Sequence, residues 1–289
     1  MRALFHLGVA AVGVVCLSIA GCERETEKQP TPTGRGERLQ AAEPEVRTPA
    51  AIDTTLTFSS GDGLQVTADL RIKHERTAPF IVLFHQAGWS RGEYQEILPR
   101  LSDMGFNCMA IDQRSGGAVN GIQNATQERA TRAGKPTTYL DAYQDMMAAM
   151  KFARAHYARG KLIAWGSSYS AALVIKLASD APALIDGVLA FAPGEYFARF
   201  GAGPDYVTRA AKKVRCPVFM TSAKREKQNW AGVFDAIPGK AKHSFVPETA
   251  GNHGSRALWK KFNDSGAYWQ AVQQFLAQYF LREAKGARE

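Results

Sequence analysis

The chain has 289 residues, of which 45% are hydrophobic and 22% charged, and its formal net charge is +9 at pH 7. This composition excludes a chain that is disordered throughout, because it supplies enough apolar surface for a large core. Lysine and arginine are scattered, with the longest basic group at residues 212–215, so no nucleic-acid partner is expected and membrane proximity is the one functional interpretation of the charge that we retain.

The N-terminus has the layout of a secretory signal. An apolar tract runs from residue 7 to residue 20, and residues 17–22 read LSIAGC. An uncleaved membrane helix is less favoured, because the tract is shorter than the roughly 20 residues that a membrane span needs. Aliphatic and small residues directly before a cysteine resemble the processing site of bacterial lipoproteins. The resemblance implies that residues 1–21 are a lipoprotein signal peptide and that Cys22 carries a lipid, which would anchor the protein to a bacterial membrane in the cell envelope, periplasmic or outward-facing.

Residues 22–51 form the next segment, rich in Glu, Arg, Thr, Pro and Gly and almost without large apolar side chains. Such a composition cannot offset its ordering entropy by burial, so we predict a disordered tether. Its prolines should keep it rather extended. Residues 52–289 remain for a single folded domain, since about 235 residues suit one core.

The folded region begins with a predicted β-hairpin, in which residues 55–58 and 65–72 alternate between apolar and polar. Continuous apolar runs then predict strands that are buried on both faces, at residues 80–84, 108–111, 162–165, 188–191, 218–220 and, more weakly, 244–246. Helical periodicity lies between them, at residues 93–104, 139–157, 170–179, 230–236 and 268–282. This alternation predicts an α/β fold with a doubly wound, mostly parallel sheet and an antiparallel hairpin at its edge. Ligands of such sheets bind beyond the carboxyl ends of the strands.

A small-x-Ser-x-small pattern follows the predicted strand at 162–165. Residues 166–170 read GSSYS and precede a helical segment, which predicts a nucleophile elbow with Ser168 at its centre. Bulky side chains two residues to either side would collide where strand and helix come close, and Gly166 and Ser170 satisfy that limit. The pattern usually ends in glycine, so Ser170 departs from it. The alternative interpretation is an ordinary helix N-terminus capped by serine.

A serine hydroxyl needs a base within hydrogen-bond reach, usually a histidine held by a carboxylate. Of the six histidines, four leave with the signal or lie away from the carboxyl edge of the predicted sheet: His6, His74, His156 and His243. His253 lies in a glycine-flanked loop beyond the last predicted strand, and it follows Ser168 in the required order. We therefore predict that His253 is the general base.

The elbow resembles that of α/β-hydrolases, and the resemblance implies that the acid follows the strand at 218–220. Glu226 is our choice by position, although a solvated charge among neighbouring lysine and arginine residues is an alternative interpretation. Glu195 is the substitute, because some proteins of this architecture place the acid one strand earlier. Asp235 lies too far into a predicted helix.

Two backbone N–H groups are needed to stabilise an oxyanion. One should belong to Tyr169, which follows the nucleophile. The other should come from the loop after the strand at 80–84, which reads HQAGW and resembles the His-Gly-x-Gly turn of α/β-hydrolases. Either Ala87 or Gln86 would donate there, His85 would be structural, and Trp89 would form a wall of the substrate pocket together with the Tyr169 ring.

Together these motifs resemble the α/β-hydrolase superfamily from about residue 52 to residue 284, especially its dienelactone-hydrolase-like and esterase branches. The resemblance implies a carboxylesterase-like serine hydrolase that forms an acyl-enzyme with a small-molecule ester, thioester or amide and needs no cofactor. A peptidase of the same fold and an inactive binding module remain as alternatives. The polar stretch at residues 112–136 is expected to form part of the site entrance or to be disordered surface.

Two cysteines remain in the domain, Cys108 and Cys216, and both are expected to be small buried hydrophobes. Cysteine and histidine form no close group with metal-ligand spacing, so the sequence predicts neither a structural metal nor a disulfide framework. A bridge between Cys108 and Cys216 stays open, because an oxidising compartment would permit one.

Overall fold

The computed structural model describes residues 51–281. The predicted signal peptide, the lipid-bearing Cys22 and all but the last residue of the predicted tether lie outside the described residues. Within residues 51–281, every helix is too short or too polar to cross a bilayer.

Ten strands lie along the described chain: β1 Ile52–Ser59, β2 Gln65–Ile72, β3 Phe80–Phe84, β4 Asn107–Ile111, β5 Ala118–Val119, β6 Ile122–Gln123, β7 Leu162–Ser167, β8 Gly187–Phe191, β9 Val218–Thr221 and β10 Lys242–Phe245. Eight of them form one sheet in the order β1-β2-β4-β3-β7-β8-β9-β10, and β5 pairs with β6 in a separate ribbon. β1 and β4 run antiparallel to β2, and all other pairs in the large sheet are parallel. The predicted sheet, including its antiparallel edge hairpin, is confirmed.

Within the described residues, seven α-helices accompany the sheet: α1 Ile97–Asp103, α2 Ala125–Arg132, α3 Ala142–His156, α4 Tyr169–Asp180, α5 Tyr206–Ala211, α6 Lys227–Ala236 and α7 Ser265–Tyr279. Successive side chains of β3 face opposite layers, because side chains alternate along a strand. Phe80, Val82 and Phe84 pack with α3 to α6 on one face, and Ile81 and Leu83 pack with α1 and α7 on the other. Two covered faces explain why the central strands are continuous apolar runs.

The segment at residues 112–136 is ordered, which corrects the expectation of a possible disordered surface. It contains β5, β6 and α2. No helix is predicted there from the sequence, because only Thr126 and Ala130 of α2 are buried and neither is a large apolar residue. Polar contacts hold it instead: the Asn124 side chain accepts from the Gln127 N–H at 2.8 Å, and the Thr126 hydroxyl accepts from the Thr67 N–H at 2.9 Å.

Buried ion pairs fix the start of that segment at the carboxyl edge of the sheet. Asp112 directly follows β4 and pairs with Arg91 at 2.7 Å. The fully buried Arg114 pairs with Asp145 at 2.7 Å and with Asp62 at 2.9 Å. Removing one partner of such a pair would leave a buried charge uncompensated, so these contacts hold the loop in one arrangement.

Four further details differ from what the sequence predicts. The predicted helix at 93–104 is divided into a 3₁₀ helix, Arg91–Tyr94, and α1, and α5 carried no periodic signal over its 6 residues. The last strand begins two residues earlier than predicted, at Lys242. Cys108 is buried but Cys216 is only half-buried, and both thiols are free.

Candidate active site

The turn between β7 and α4 holds Ser168 in a strained backbone conformation, with φ 58° and ψ −120°. A non-glycine residue in this region costs about 1–3 kcal/mol, which the surrounding structure must offset. The Ser168 N–H donates to the Phe191 carbonyl at 2.7 Å and ties the turn to β8. A Cβ added at Gly166 would lie 2.3 Å from the Ser170 carbonyl oxygen, so strand and helix come too close there for any side chain. The turn therefore has the geometry of a nucleophile elbow.

His253 lies between Ser168 and Glu226. Its Nε2 is 2.8 Å from Ser168 Oγ, and its Nδ1 is 2.6 Å from Glu226 Oε1. In the neutral imidazole, Nδ1–H donates to the carboxylate, so Nε2 is free to accept the serine proton. The other carboxylate oxygen of Glu226 accepts from the Ala223 N–H at 3.2 Å, which fixes its orientation. This arrangement can withdraw the hydroxyl proton of Ser168.

Glu195 is held away from the imidazole by a different pair of donors. Its two carboxylate oxygens accept from the backbone N–H groups of Val207 and Thr208, at 2.9 and 2.8 Å. Both N–H groups lie in the first turn of α5, where backbone amides have no acceptor within the helix and a negative charge is favoured. Of the two acids that the sequence offered, the structure brings Glu226 to His253.

The two backbone donors expected in the loop after β3 are in different situations. The Gln86 N–H donates to Glu93 Oε2 at 2.8 Å, so it is occupied by the protein itself. Within residues 51–281, the Ala87 N–H donates to no protein acceptor. The Tyr169 N–H is also without one, because it is the first amide of α4. Of the predicted donors, Ala87 and Tyr169 are therefore the two that remain available to a substrate oxygen.

His85 is fully buried and both of its ring nitrogens bind the backbone. The Gln113 N–H donates to Nε2 at 3.0 Å, so Nδ1 carries the proton and donates to the Gln86 carbonyl at 2.8 Å. Burial lowers the pKa of His85 to about 4, which keeps the ring neutral. His85 joins the loop after β3 to the loop after β4.

Aromatic side chains surround these loops. Trp89 is half-buried and stacks on Trp259, with ring centroids 5.3 Å apart. The Tyr169 ring is buried, stacks on Tyr139 at 4.5 Å, and donates its hydroxyl hydrogen to the Ser115 carbonyl. Trp89 is thus partly exposed, whereas the Tyr169 ring packs in the core.

Two further residues lie at this site without a signal in the sequence. Tyr196 follows β8, and its hydroxyl donates to the Ala192 carbonyl at 2.8 Å. Burial and the charge of Glu226 raise the pKa of Tyr196 to about 12, and a side-chain interaction with Ser168 partly offsets this increase in pKa. Glu93 is buried behind the elbow and bonds to Ser167. The rule that sites lie beyond strand ends could have suggested Tyr196, but nothing marks Glu93 as a buried residue.

A comparison of the sequence with protein families matches residues 75–199 to the model of Hydrolase_4, described as serine aminopeptidase, S33. The matched segment is less than half of the chain. It includes the loop after β3 and the elbow, and it ends before Glu226 and His253. A search of curated proteins finds no match.

Solved structures share the architecture at low sequence identity. An esterase of Pyrococcus furiosus is 17% identical with a TM-score of 0.59, over 80% of this chain and 94% of that chain. A dienelactone hydrolase from Anabaena variabilis is 14% identical with a TM-score of 0.61, over 80% of this chain and 99% of that chain. An acylaminoacyl peptidase of Pyrococcus horikoshii is 16% identical with a TM-score of 0.57, over 84% of this chain but 44% of that chain. The chain has the α/β-hydrolase fold, as its sequence predicted.

Proposed function

We propose that this protein is a serine hydrolase that cleaves an ester or a related acyl bond through an acyl-enzyme intermediate. Ser168 is the nucleophile, His253 the general base, and Glu226 the acid that orients the imidazole. The observation that carries the proposal is the hydrogen-bonded series from Ser168 Oγ through His253 to Glu226 Oε1, at 2.8 and 2.6 Å.

The reaction has two acyl-transfer steps. Ser168 Oγ attacks the carbonyl carbon of the substrate while its proton moves to His253 Nε2. The resulting imidazolium then gives that proton to the leaving alcohol oxygen as the bond to the acyl carbon breaks. In the second step, water attacks the acyl-serine, its proton moves to His253, and the acid leaves as Ser168 recovers its hydrogen. Glu226 stabilises the imidazolium in both steps.

Negative charge develops on the substrate oxygen in both tetrahedral intermediates. The N–H groups of Ala87 and Tyr169 are the donors that we assign to it, each worth about 3 kcal/mol of the barrier. Trp89 is assigned to the substrate pocket because it is a partly exposed aromatic residue in the same loop as Ala87. The chemistry uses protein groups alone, so we propose no cofactor.

An ester is a better candidate substrate than a peptide. The neighbours named as an esterase and a dienelactone hydrolase are covered over 94% and 99% of their length, whereas the acylaminoacyl peptidase is covered over 44%. The fold shared with the peptidase is thus only part of that enzyme. A binding module without catalysis would not need a strained serine hydrogen-bonded to a histidine and a carboxylate, because strain of this kind persists only where the surrounding structure imposes it.

A fluorophosphonate probe tests the proposal directly. It should label the folded protein once, and peptide mapping should find the modification on Ser168, because the probe phosphonylates an activated serine and mimics the tetrahedral intermediate. Heat-denatured protein, in which His253 no longer contacts Ser168, is the control and should stay unlabelled. Absence of label on folded protein, together with no hydrolysis of p-nitrophenyl acetate, would refute the proposed function.

We also propose that the mature protein is lipid-anchored at Cys22 in a bacterial cell envelope. The support is the sequence alone, in which Cys22 directly follows Ile19, Ala20 and Gly21. Expressed in a bacterium with its own leader, the protein should incorporate radiolabelled palmitate and partition into the detergent phase. Cys22→Ser should abolish both, whereas Cys216→Ser, which leaves the processing site intact, should change neither. A wild-type protein that is unlabelled and aqueous would contradict the anchor.

A further inference from the structure

Glu93 is a buried carboxylate that the proposed reaction does not use. It lies in the 3₁₀ helix Arg91–Tyr94, and its residue exposure is 0%. One carboxylate oxygen accepts from the Gln86 N–H at 2.8 Å, and the other accepts from the Ser167 hydroxyl at 2.7 Å. A single side chain therefore joins the loop after β3 to the end of β7.

The same network reaches the loop that carries His253. Ser167 Oγ, which donates to Glu93, also accepts from the Ser255 N–H at 2.9 Å. Gly254 makes this close approach possible: its φ is +70°, and a Cβ added there would lie 2.4 Å from Ser167 Oγ. The loop of His253 is thus held against the elbow through a hydroxyl group that Glu93 orients.

We propose that Glu93 is a positioning residue that holds the three loops of the site in their reactive arrangement. It touches none of the reacting atoms. It acts through a neighbour of each assigned group: Gln86 beside Ala87, Ser167 beside Ser168, and Ser255 near His253. This inference rests on the proposed function, because positioning has meaning only for a site that reacts.

The arrangement of donors around Glu93 favours an ionised carboxylate. The Ser255 N–H occupies an acceptor site of Ser167 Oγ, and the hydroxyl hydrogen of Ser167 points at Glu93. The Gln86 N–H points at the other carboxylate oxygen. An ionised carboxylate accepts from both donors with its full charge, whereas a protonated carboxyl group is a weaker acceptor and brings in a hydrogen of its own. We therefore expect protonation of Glu93 to weaken these links.

Glu93 also titrates in a range where activity is measured. Burial raises the pKa of Glu93 to about 7, against the lowering effect of its bonds from Ser167 and Gln86. The charged groups that act on it from the packed loops are His253 and Arg256, which both lower this pKa. The neighbouring Tyr94 adds no charge near neutral pH, because burial raises its pKa well above its usual value.

The pH dependence of kcat/KM separates this role from a merely structural one. In the wild type, protonation of Glu93 should leave an enzyme that is about 10–100-fold less active, so log(kcat/KM) should fall near pH 7 by about one to two units more than protonation of the general base alone produces. Glu93→Gln, which imitates the protonated form, should lower kcat at pH 8 by the same about 10–100-fold with little change in KM, and its acid limb should fit a single protonation. A wild-type acid limb that fits a single protonation would overturn the inference even if the variant failed to fold.

The pH dependence of folding stability should have the opposite sign to the pH dependence of activity. Because burial raises the pKa of Glu93, the folded state holds a proton that the unfolded state has already released, and stability falls as pH rises from about 4.5 to about 7. Glu93→Gln removes this cost, so its unfolding temperature at pH 8 should be no lower than that of the wild type. A variant with a lowered unfolding temperature and unchanged kcat and pH profile would show that Glu93 is only structural.

Two further variants complete the test. Glu96→Gln is the matched control, since Glu96 is exposed and, within residues 51–281, its side chain accepts only from the Lys260 N–H at 2.9 Å. It should keep the wild-type kcat and pH profile. In a Ser167→Ala background, Glu93→Gln should cost much less than it does alone, because the shared link is already lost. Fully additive losses would overturn the inference. A wild type that neither hydrolyses esters nor takes the fluorophosphonate label would instead refute the proposed function, so the two failures are distinguishable.

Discussion

Ser168→Ala should lower kcat for a short p-nitrophenyl ester by about 10⁵–10⁶-fold, because the variant has no nucleophile and the triad acts as a unit. The circular-dichroism spectrum should not change, since the substitution removes one oxygen at a turn that the backbone already fixes. Loss of fluorophosphonate labelling should accompany the loss of turnover. Activity within tenfold of the wild type would remove Ser168 from the mechanism.

Two companion variants check the position and the strain of the elbow. Ser167→Ala should keep the fluorophosphonate label on Ser168, although the loss of its bond to Glu93 should slow turnover. Ser168→Gly should be inactive but unfold at a higher temperature than Ser168→Ala. A φ of 58° costs alanine about 1–3 kcal/mol, which exceeds the roughly 0.4–1 kcal/mol of unfolded-state entropy that glycine adds. If Ser167→Ala loses the label and Ser168→Ala keeps it, the nucleophile has been assigned one residue too late.

The sequence predicted those parts of the fold that are buried on both faces. β3 has the predicted bounds of 80–84, because every one of its residues is buried and apolar. The elbow was equally marked, since the close approach at Gly166 limits residue size in a way that shows in the sequence. By contrast, α2 buries only Thr126 and Ala130 and is held by single side-chain bonds, so its sequence contains no large apolar residues that would mark a helix.

The parts of the candidate site that depend on distant contacts were less accessible. His253 is predicted by eliminating the other histidines and by its place in the chain, and Glu226 is predicted only by its position after β9. The sequence could not show that the Gln86 N–H binds Glu93 and is therefore unavailable to a substrate oxygen. This contact depends on a carboxylate that lies seven residues later and is buried by packing against another loop. A glutamate within a predicted helix normally indicates a solvated face, so the sequence offered no reason to select Glu93.

Glu226→Gln should lower kcat by about 10⁴-fold while leaving the fold intact. The Ala223 N–H donates to one carboxylate oxygen at 3.2 Å, and His253 Nδ1 lies 2.6 Å from the other. An amide has a single acceptor oxygen, which would turn to the Ala223 N–H and leave its NH₂ group facing Nδ1. The imidazole proton would then have to lie on Nε2, where it blocks transfer from Ser168. Initial-rate kinetics should show the loss mainly in kcat.

Glu195→Gln is the matched comparison for Glu226→Gln. The same chemical change should lower stability at Glu195, whereas it should lower kcat at Glu226. Glu195 binds the N–H groups of Val207 and Thr208, and an amide can accept from only one of them. Loss of a cap of this kind costs about 1 kcal/mol, so the unfolding temperature should fall while kcat stays near that of the wild type. If Glu195→Gln is the variant that loses turnover and Glu226→Gln is nearly silent, the acid lies after β8. The contact between Glu226 and His253 would then have no part in the transition state.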